Sequence, residues 1–218
     1  GCREGATPDV HEQARRAPAR VQSRGTRRPR KLAAMVRRAL LSLLVLLPAW
    51  PALADDALWA LLRQGVLIRH AVTDPGVGDP PGFRIDDCAT QRNLSEAGRA
   101  EATRLGSALR ERGVPVARVL SSPWCRAVET ARLATGMAPR IEPALANLFE
   151  YPQNRERQLV QFRALVAAAP KQGNVLMFTH GSTTLAFTGV NPATAEMVIV
   201  TPEGGERYRI AGRIAAPP

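Results

Sequence analysis

Residue types that commonly bind metal ions are scarce in this sequence, which has three histidines and three cysteines among 218 residues. Neither a His-x-x-x-His nor a Cys-x-x-Cys spacing occurs, so the common zinc motifs are excluded. Long apolar runs are absent too. The most apolar segment, residues 39–47, is too short to span a bilayer.

Acidic residues are outnumbered by basic ones, and most of the imbalance lies near the N-terminus. The chain has 30 Lys and Arg against 19 Asp and Glu, a net charge of +11. Residues 1–38 hold 11 of the basic and 3 of the acidic residues, which leaves only +3 for the remainder. The excess charge therefore lies in a segment that we expect to be removed, and nucleic acid is not an expected partner.

Residues 35–54 have the pattern of a secretory signal peptide. Two arginines follow Met35, a short apolar run comes next, and Ala52-Leu53-Ala54 forms a small-residue cleavage site. We expect cleavage after Ala54, export to the periplasm and no stable membrane insertion afterwards. The alternative is an uncleaved amphipathic or membrane-anchoring helix.

Residues 1–34 are rich in Arg, Ala and Pro, and this composition predicts a disordered basic leader. Because signal peptides begin at the start methionine, the leader is either upstream translation or an extended n-region. A nucleic-acid-binding arm is the functional alternative.

Residues 55–218 are of a size typical of one domain and retain two cysteines, Cys88 and Cys125. An even pair in an exported protein predicts a disulfide. Two separate free thiols are the alternative, because sequence spacing does not show proximity.

Apolar runs and amphipathic segments alternate along this domain. Short apolar runs predict strands at residues 66–68, 116–120 and 174–178, and a closing hairpin at 196–201 and 207–210. Helices are expected after Ser95, which suits an N-cap, after Ser122-Pro123, and over residues 155–169. The alternation indicates an α/β fold.

Two of the three histidines follow predicted strands directly. His70 comes after Val66-Leu67-Ile68-Arg69, and His180 follows the strand that ends near Thr179. Ligands of open α/β sheets bind at the carboxyl ends of the strands, so both histidines are candidates for a functional site. Arg126, expected in the first turn of a helix, suits a bound phosphate.

These residues resemble the histidine phosphatase superfamily, also called phosphoglycerate mutase-like. The matching motifs occur in the family's order over residues 65–182 and are Arg69-His70-Ala71, Asn93 to Arg99, Ser121 to Ala127 with Glu129-Thr130-Ala131, and Thr179-His180-Gly181. Ala71 stands where the family often has glycine. The resemblance implies a three-layer α/β/α sandwich with a mainly parallel sheet.

The resemblance also implies roles for individual residues. His70 would be the nucleophile that forms a phosphohistidine. Arg69 and Arg126 would bind the phosphoryl oxygens, and His180, protonated when phosphate binds, would complete the site. Glu150 is the first candidate for the proton donor.

Other contributors to the implied site are less directly matched. Glu142 is the second candidate for the proton donor, and Arg92 and Thr73 could also reach the phosphate. No metal or cofactor is required by the implied chemistry. Export and the absence of room for a large cap favour a phosphatase over a mutase.

We therefore expect a phosphomonoesterase that acts on a small phosphorylated molecule outside the cytoplasm. Two alternatives remain: an exported phosphate-binding domain without turnover, and a metallohydrolase that uses His70, His180 and aspartates of the loop after His70. Neither the natural substrate nor the oligomeric state follows from the sequence.

Overall fold

A computed structural model describes residues 57–62, 65–168 and 172–218. The predicted leader and signal peptide, residues 1–54, lie outside this part of the chain. The strands are β1 (Gly65–Arg69), β2 (Val116–Ser121), β3 (Arg140–Ile141), β4 (Asn174–Thr179), β5 (Met197–Pro202) and β6 (Tyr208–Ile214). The α-helices are α1 (Glu96–Glu111), α2 (Cys125–Thr135), α3 (Arg155–Ala167) and α4 (Gly181–Thr188).

The six strands form one sheet in the order β3-β2-β4-β1-β5-β6. Strands β3, β2, β4 and β1 run parallel to one another, whereas β5 pairs antiparallel with both β1 and β6. The prediction of a mainly parallel sheet is confirmed, with the predicted hairpin forming its antiparallel edge.

Alternating side chains of the central strands supply two separate hydrophobic cores. In β1, Val66 and Ile68 pack on one side of the sheet with residues of α1 and α2, and Leu67 packs on the other side with Phe162 and Phe187 of α3 and α4. Because both faces of the sheet are covered by helices, the predicted three-layer α/β/α arrangement is confirmed.

The helix starts agree with the sequence in one case and differ in another. Ser95 caps α1 as predicted, its side chain accepting a hydrogen bond from the Gly98 N–H at 3.1 Å. The predicted start of α2 at Ser122-Pro123 is wrong, because the helix begins at Cys125. The Ser122 hydroxyl bonds His180 at 2.7 Å instead of capping the helix.

Helix α1 approaches the chain after β1 at Gly98. A Cβ atom at this position would lie 1.8 Å from the carbonyl oxygen of Val72, which no side chain can tolerate. The same carbonyl accepts the N–H of Ser95 at 3.1 Å. This contact fixes the start of α1 beside the segment that follows His70.

A disulfide joins Cys88 to Cys125, with the two Cα atoms 5.7 Å apart, so the predicted pairing is confirmed. It connects the loop between β1 and α1 to the first residue of α2. Within residues 57–62, 65–168 and 172–218, no helix has the length and apolar character needed to cross a membrane.

Candidate active site

The carboxyl ends of three neighbouring parallel strands bring the predicted site residues together. Arg69 pairs with Thr179 across β1 and β4, and the His70 N–H donates to the Thr179 carbonyl at 2.9 Å. On the other side of β4, the Ser122 N–H donates to the carbonyl of Phe178 at 2.9 Å. Beyond these ends lies a cavity of about 310 Å³.

Five of the residues that line the cavity were predicted as site residues. They are Arg69, His70, Arg92, Arg126 and His180. The remainder of the lining is mostly polar or glycine, with Val77 and Phe149 as the apolar exceptions. The cavity therefore has a cationic interior, suited to an anion.

His70 is held as a neutral imidazole with a defined tautomer. Its Nδ1 atom lies 2.9 Å from the carbonyl oxygen of Ala71, which can only accept, so Nδ1 carries the hydrogen and Nε2 keeps its lone pair. Burial, followed by the Arg126 cation, lowers the pKa of His70 from 6.5 to about 3. His70 is consequently an uncharged imidazole at neutral pH.

His180 lies beside His70, with the two ring centroids 5.2 Å apart in an edge arrangement. Its Nε2 atom is 2.7 Å from the Ser122 hydroxyl, which itself accepts the Trp124 N–H at 3.4 Å. Burial, followed by His70, lowers the pKa of His180 well below its ordinary value. In this structure His180 is therefore neutral, and its protonation on phosphate binding stays a prediction.

Two arginines are each tied to main-chain carbonyls through one terminal nitrogen. Arg69 donates from Nη1 to Pro192 at 2.8 Å, and Arg92 donates from Nη1 to Gly76. Burial lowers the pKa of both guanidinium groups, but an arginine is so strongly basic that both remain charged. Their positions are thereby fixed while other N–H groups remain available.

Arg126 is held by a carboxylate that sequence reasoning did not assign to it. Its Nη1 and Nη2 atoms donate to the two oxygens of Asp79 at 2.6 and 2.9 Å, and the paired side chains are 1% and 0% exposed. Burial alone would raise the pKa of Asp79, but hydrogen bonds from Arg126, the Arg92 N–H and Trp124 hold it below its ordinary value. Asp79 therefore remains ionised.

Four buried nitrogen atoms at the cavity have no hydrogen-bond partner within the described residues. These atoms are Arg69 Nε, Arg92 Nε, Arg126 Nε and His180 Nδ1. Within the described residues the Ser122 hydroxyl accepts from the Trp124 N–H and has His180 Nε2 as the acceptor for its own hydrogen, which assigns the hydrogen of His180 to Nδ1. All four atoms are then N–H donors. Because unpaired buried donors are costly, their grouping around one cavity indicates a site for an anion with several acceptor oxygens.

The two candidate proton donors occupy different surroundings. Glu150 does not itself line the cavity, but its Oε1 accepts the Asp79 N–H at 2.9 Å and lies beside Gly78, which does. Glu142 instead pairs with Arg140 at 2.5 Å, next to the edge strand β3. The geometry thus favours Glu150 over Glu142.

Thr73, predicted to contact phosphate, is not among the residues that line the cavity. Its main chain forms an antiparallel bridge with Leu94, and the Asp74 N–H donates to the Asn93 carbonyl at 3.1 Å. These contacts hold the segment against the start of α1, and the structure does not bring Thr73 to the site.

The described residues contain no group of three or more His, Cys, Asp or Glu side chains that could hold a metal ion. The loop aspartate best placed for the metallohydrolase alternative is Asp79, whose two oxygens already accept four hydrogen bonds. These contacts occupy the lone pairs that a metal would need.

The fold and the site place two strand-end histidines and three arginines around one cavity. A family model described as histidine phosphatase superfamily, branch 1, matches residues 66–149. Together with the fold, this match confirms the resemblance seen in the sequence. Over residues 66–149 the chain is similar to the histidine phosphatase superfamily.

Solved structures with the same fold cover most of the described domain. A mycobacterial glucosyl-3-phosphoglycerate phosphatase is 20% identical over 68% of this chain and 97% of its own, with a TM-score of 0.50. The protein histidine phosphatase SixA, complexed with tungstate, is 17% identical over 70% and 97%, with a TM-score of 0.53. The product of the open reading frame Rv3214 from Mycobacterium tuberculosis is 19% identical over 70% and 96%, with a TM-score of 0.54. No curated protein sequence gives a significant match.

Proposed function

We propose that the protein is a metal-independent phosphomonoesterase that works through a phosphohistidine on His70. The observation that carries this proposal is the set of four unpartnered N–H donors around the same cavity as the neutral His70. A phosphoryl group offers three oxygens as acceptors, and the three guanidinium groups balance its negative charge. A bound phosphoryl group would accept hydrogen bonds from these N–H groups, which would then have the partners they lack.

In the first step, Nε2 of His70 attacks phosphorus with its lone pair. The bond from phosphorus to the ester oxygen breaks, and that oxygen takes a proton from Glu150 and departs as the alcohol. The Ala71 carbonyl accepts the Nδ1 hydrogen and stabilises the positive charge that develops on the imidazole. Arg69, Arg92 and Arg126 stabilise the equatorial oxygens during transfer.

In the second step, the Glu150 carboxylate takes a proton from water while the water oxygen attacks the phosphohistidine. The bond between phosphorus and Nε2 breaks, inorganic phosphate forms, and His70 regains its lone pair. Glu150 ends protonated, as it began. The cycle needs no metal ion, oxidant or second substrate.

The cavity volume of about 310 Å³ supports a small phosphate ester as the substrate. The disulfide between Cys88 and Cys125 supports a location outside the reducing cytoplasm, since structural disulfides persist in oxidising compartments. We propose the periplasm on this ground and on the signal-peptide pattern of residues 35–54. The reaction class is supported by two structural neighbours. One is the protein histidine phosphatase SixA complexed with tungstate, and the other is a glucosyl-3-phosphoglycerate phosphatase.

Hydrolysis of p-nitrophenyl phosphate in the presence of EDTA tests the proposal. The expected result is turnover that survives chelation, with an acid-labile phosphoryl label on the protein when the reaction is quenched. His70→Ala should abolish both turnover and label. Glu150→Gln should retain the label while slowing its release, because the water attack loses its base.

The alternative, an anion-binding domain without turnover, predicts a different outcome. Phosphate or vanadate would bind to the folded protein, and His70→Ala would change neither hydrolysis nor labelling, since none would occur. Turnover that disappears on chelation and returns with a divalent metal would instead revive the metallohydrolase.

A further inference from the structure

Asp79 contacts both halves of the proposed catalytic machinery. Its carboxylate receives four hydrogen bonds, two from Arg126, one from the Trp124 indole at 2.9 Å and one from the Arg92 N–H at 2.9 Å. Its own main-chain N–H donates to Glu150 at 2.9 Å. One residue thus holds a phosphate-binding arginine by its side chain and the proton donor by its main chain.

The Asp79 carboxylate has no capacity left for chemistry. Two carboxylate oxygens offer about four lone-pair sites, and all four are occupied. The side chain is also 0% exposed, so it cannot reach water or substrate without breaking these bonds. A role as catalytic acid, base or metal ligand is thereby ruled out, and a positioning role is what the contacts allow.

The pairing with Asp79 determines which edge of Arg126 faces the substrate. Both terminal nitrogens point to the carboxylate, and Nε is the buried donor left without a partner. The negative charge of Asp79 also lies next to the phosphate site, where it opposes the binding of another anion. Phosphate affinity is therefore lower than the arginines alone would give.

We propose that Asp79 is a positioning residue that sets Arg126 and Glu150 at a fixed separation, favouring transfer to His70 over tight binding of phosphate. This inference rests on the proposed phosphatase function. In Asp79→Asn, the amide N–H₂ group would face the N–H groups of Trp124 and Arg126. Because donors then oppose donors, the segment that carries the Asp79 N–H moves away and Glu150 loses its partner.

Two readouts separate this role from simple structural support. The first is the dissociation constant of inorganic phosphate by calorimetry, which should fall roughly fivefold in Asp79→Asn, since a negative charge is removed and the Arg126 fork is released. The second is kcat/KM for glycerol phosphate relative to p-nitrophenyl phosphate. Glycerol must be protonated by Glu150 as it leaves, whereas nitrophenolate leaves without a proton. Because Asp79→Asn displaces Glu150, the ratio should fall about 100-fold.

Asp86→Asn is the matched control, with the same chemical change in the same loop. Its side chain is 84% exposed and lies 3.9 Å from Arg84 at the surface, so neither readout should change. A merely structural role would instead weaken phosphate binding in Asp79→Asn and lower kcat/KM equally for both esters. Unchanged values for both readouts would overturn the proposal as well.

Gly78→Ala gives a second test that leaves Asp79 intact if Asp79→Asn does not fold. A Cβ atom at Gly78 would lie 3.1 Å from the Glu150 carboxylate on a backbone with φ of +72°. The glycerol-to-aryl ratio should fall, and an unchanged ratio would refute the link through Glu150. Wild-type protein without turnover would refute the phosphatase function, whereas an unchanged phosphate dissociation constant in Asp79→Asn would refute the inference alone.

Discussion

The buried neutral state of His70 predicts how the stability of the domain depends on pH. Its folded-state pKa is about 3 and its ordinary value is 6.5. Between these two values the unfolded chain binds a proton that the folded domain excludes, so acidification favours unfolding. The contribution of His70 to stability is fully present above pH 6.5 and is lost as the pH falls towards 3.

The size of this effect follows from the shift in the pKa. A pH of 4.5 lies two units below the pKa of the unfolded imidazole. At this pH the imidazole is almost fully protonated in the unfolded chain and almost fully neutral in the folded domain. At about 1.4 kcal/mol per unit, His70 should lower the free energy of unfolding by roughly 3 kcal/mol between pH 7.5 and pH 4.5.

The assay is urea unfolding at both pH values, followed by circular dichroism, with and without His70→Asn. Asparagine does not titrate in this range, so the variant should lose roughly 3 kcal/mol less stability on acidification than the protein that retains His70. Both proteins carry His180→Asn, because His70 also lowers the pKa of His180 and its replacement would alter that titration. Equal losses in the two proteins would refute the assignment of a depressed pKa to His70.

Three further outcomes can be checked directly. Gly98→Ala should lower the free energy of unfolding by about 3 kcal/mol or more, since its Cβ would overlap the Val72 carbonyl oxygen; an unchanged urea midpoint would mean that α1 can shift. Ser122→Ala should lower kcat/KM about tenfold and the melting temperature by a few degrees, because buried His180 loses a hydrogen bond of roughly 1.4 kcal/mol. Unaltered kinetics would contradict this role. Reducing the disulfide should lower stability by roughly 4 kcal/mol on the chain-entropy model. Under the proposed function it should also weaken phosphate binding, since Cys125 is the first residue of the helix that contains Arg126. Calorimetry with and without reductant measures both effects.

The strand ends were predictable because their signals are local. An apolar run followed at once by a polar residue locates His70 and His180, and parallel strands bring such ends to one edge. Arg126 was placed correctly in the first turn of its helix, although that helix starts at Cys125. The reason for the later start is long-range, since Ser122 bonds His180, 58 residues away.

The role of Asp79 could not be predicted in the same way. It lies in a loop rich in proline and glycine, and its partner Arg126 is 47 residues further along the chain. Nothing in the local sequence distinguishes a buried, fully bonded aspartate from a solvated one. The placement of Thr73 could not be predicted for a related reason. Its β-bridge to Leu94 depends on how the loop returns to α1.

The loop between β1 and α1 has little regular structure, yet its conformation is fixed from several directions. The disulfide at Cys88, the contacts of Asp79 and the bond from Arg92 to Gly76 each remove freedom from it. A phosphate ester that binds as proposed would therefore meet a surface whose conformational entropy was already lost during folding and disulfide formation. Its association should accordingly be fast and accompanied by a small heat-capacity change, as for a ligand that enters a preformed site.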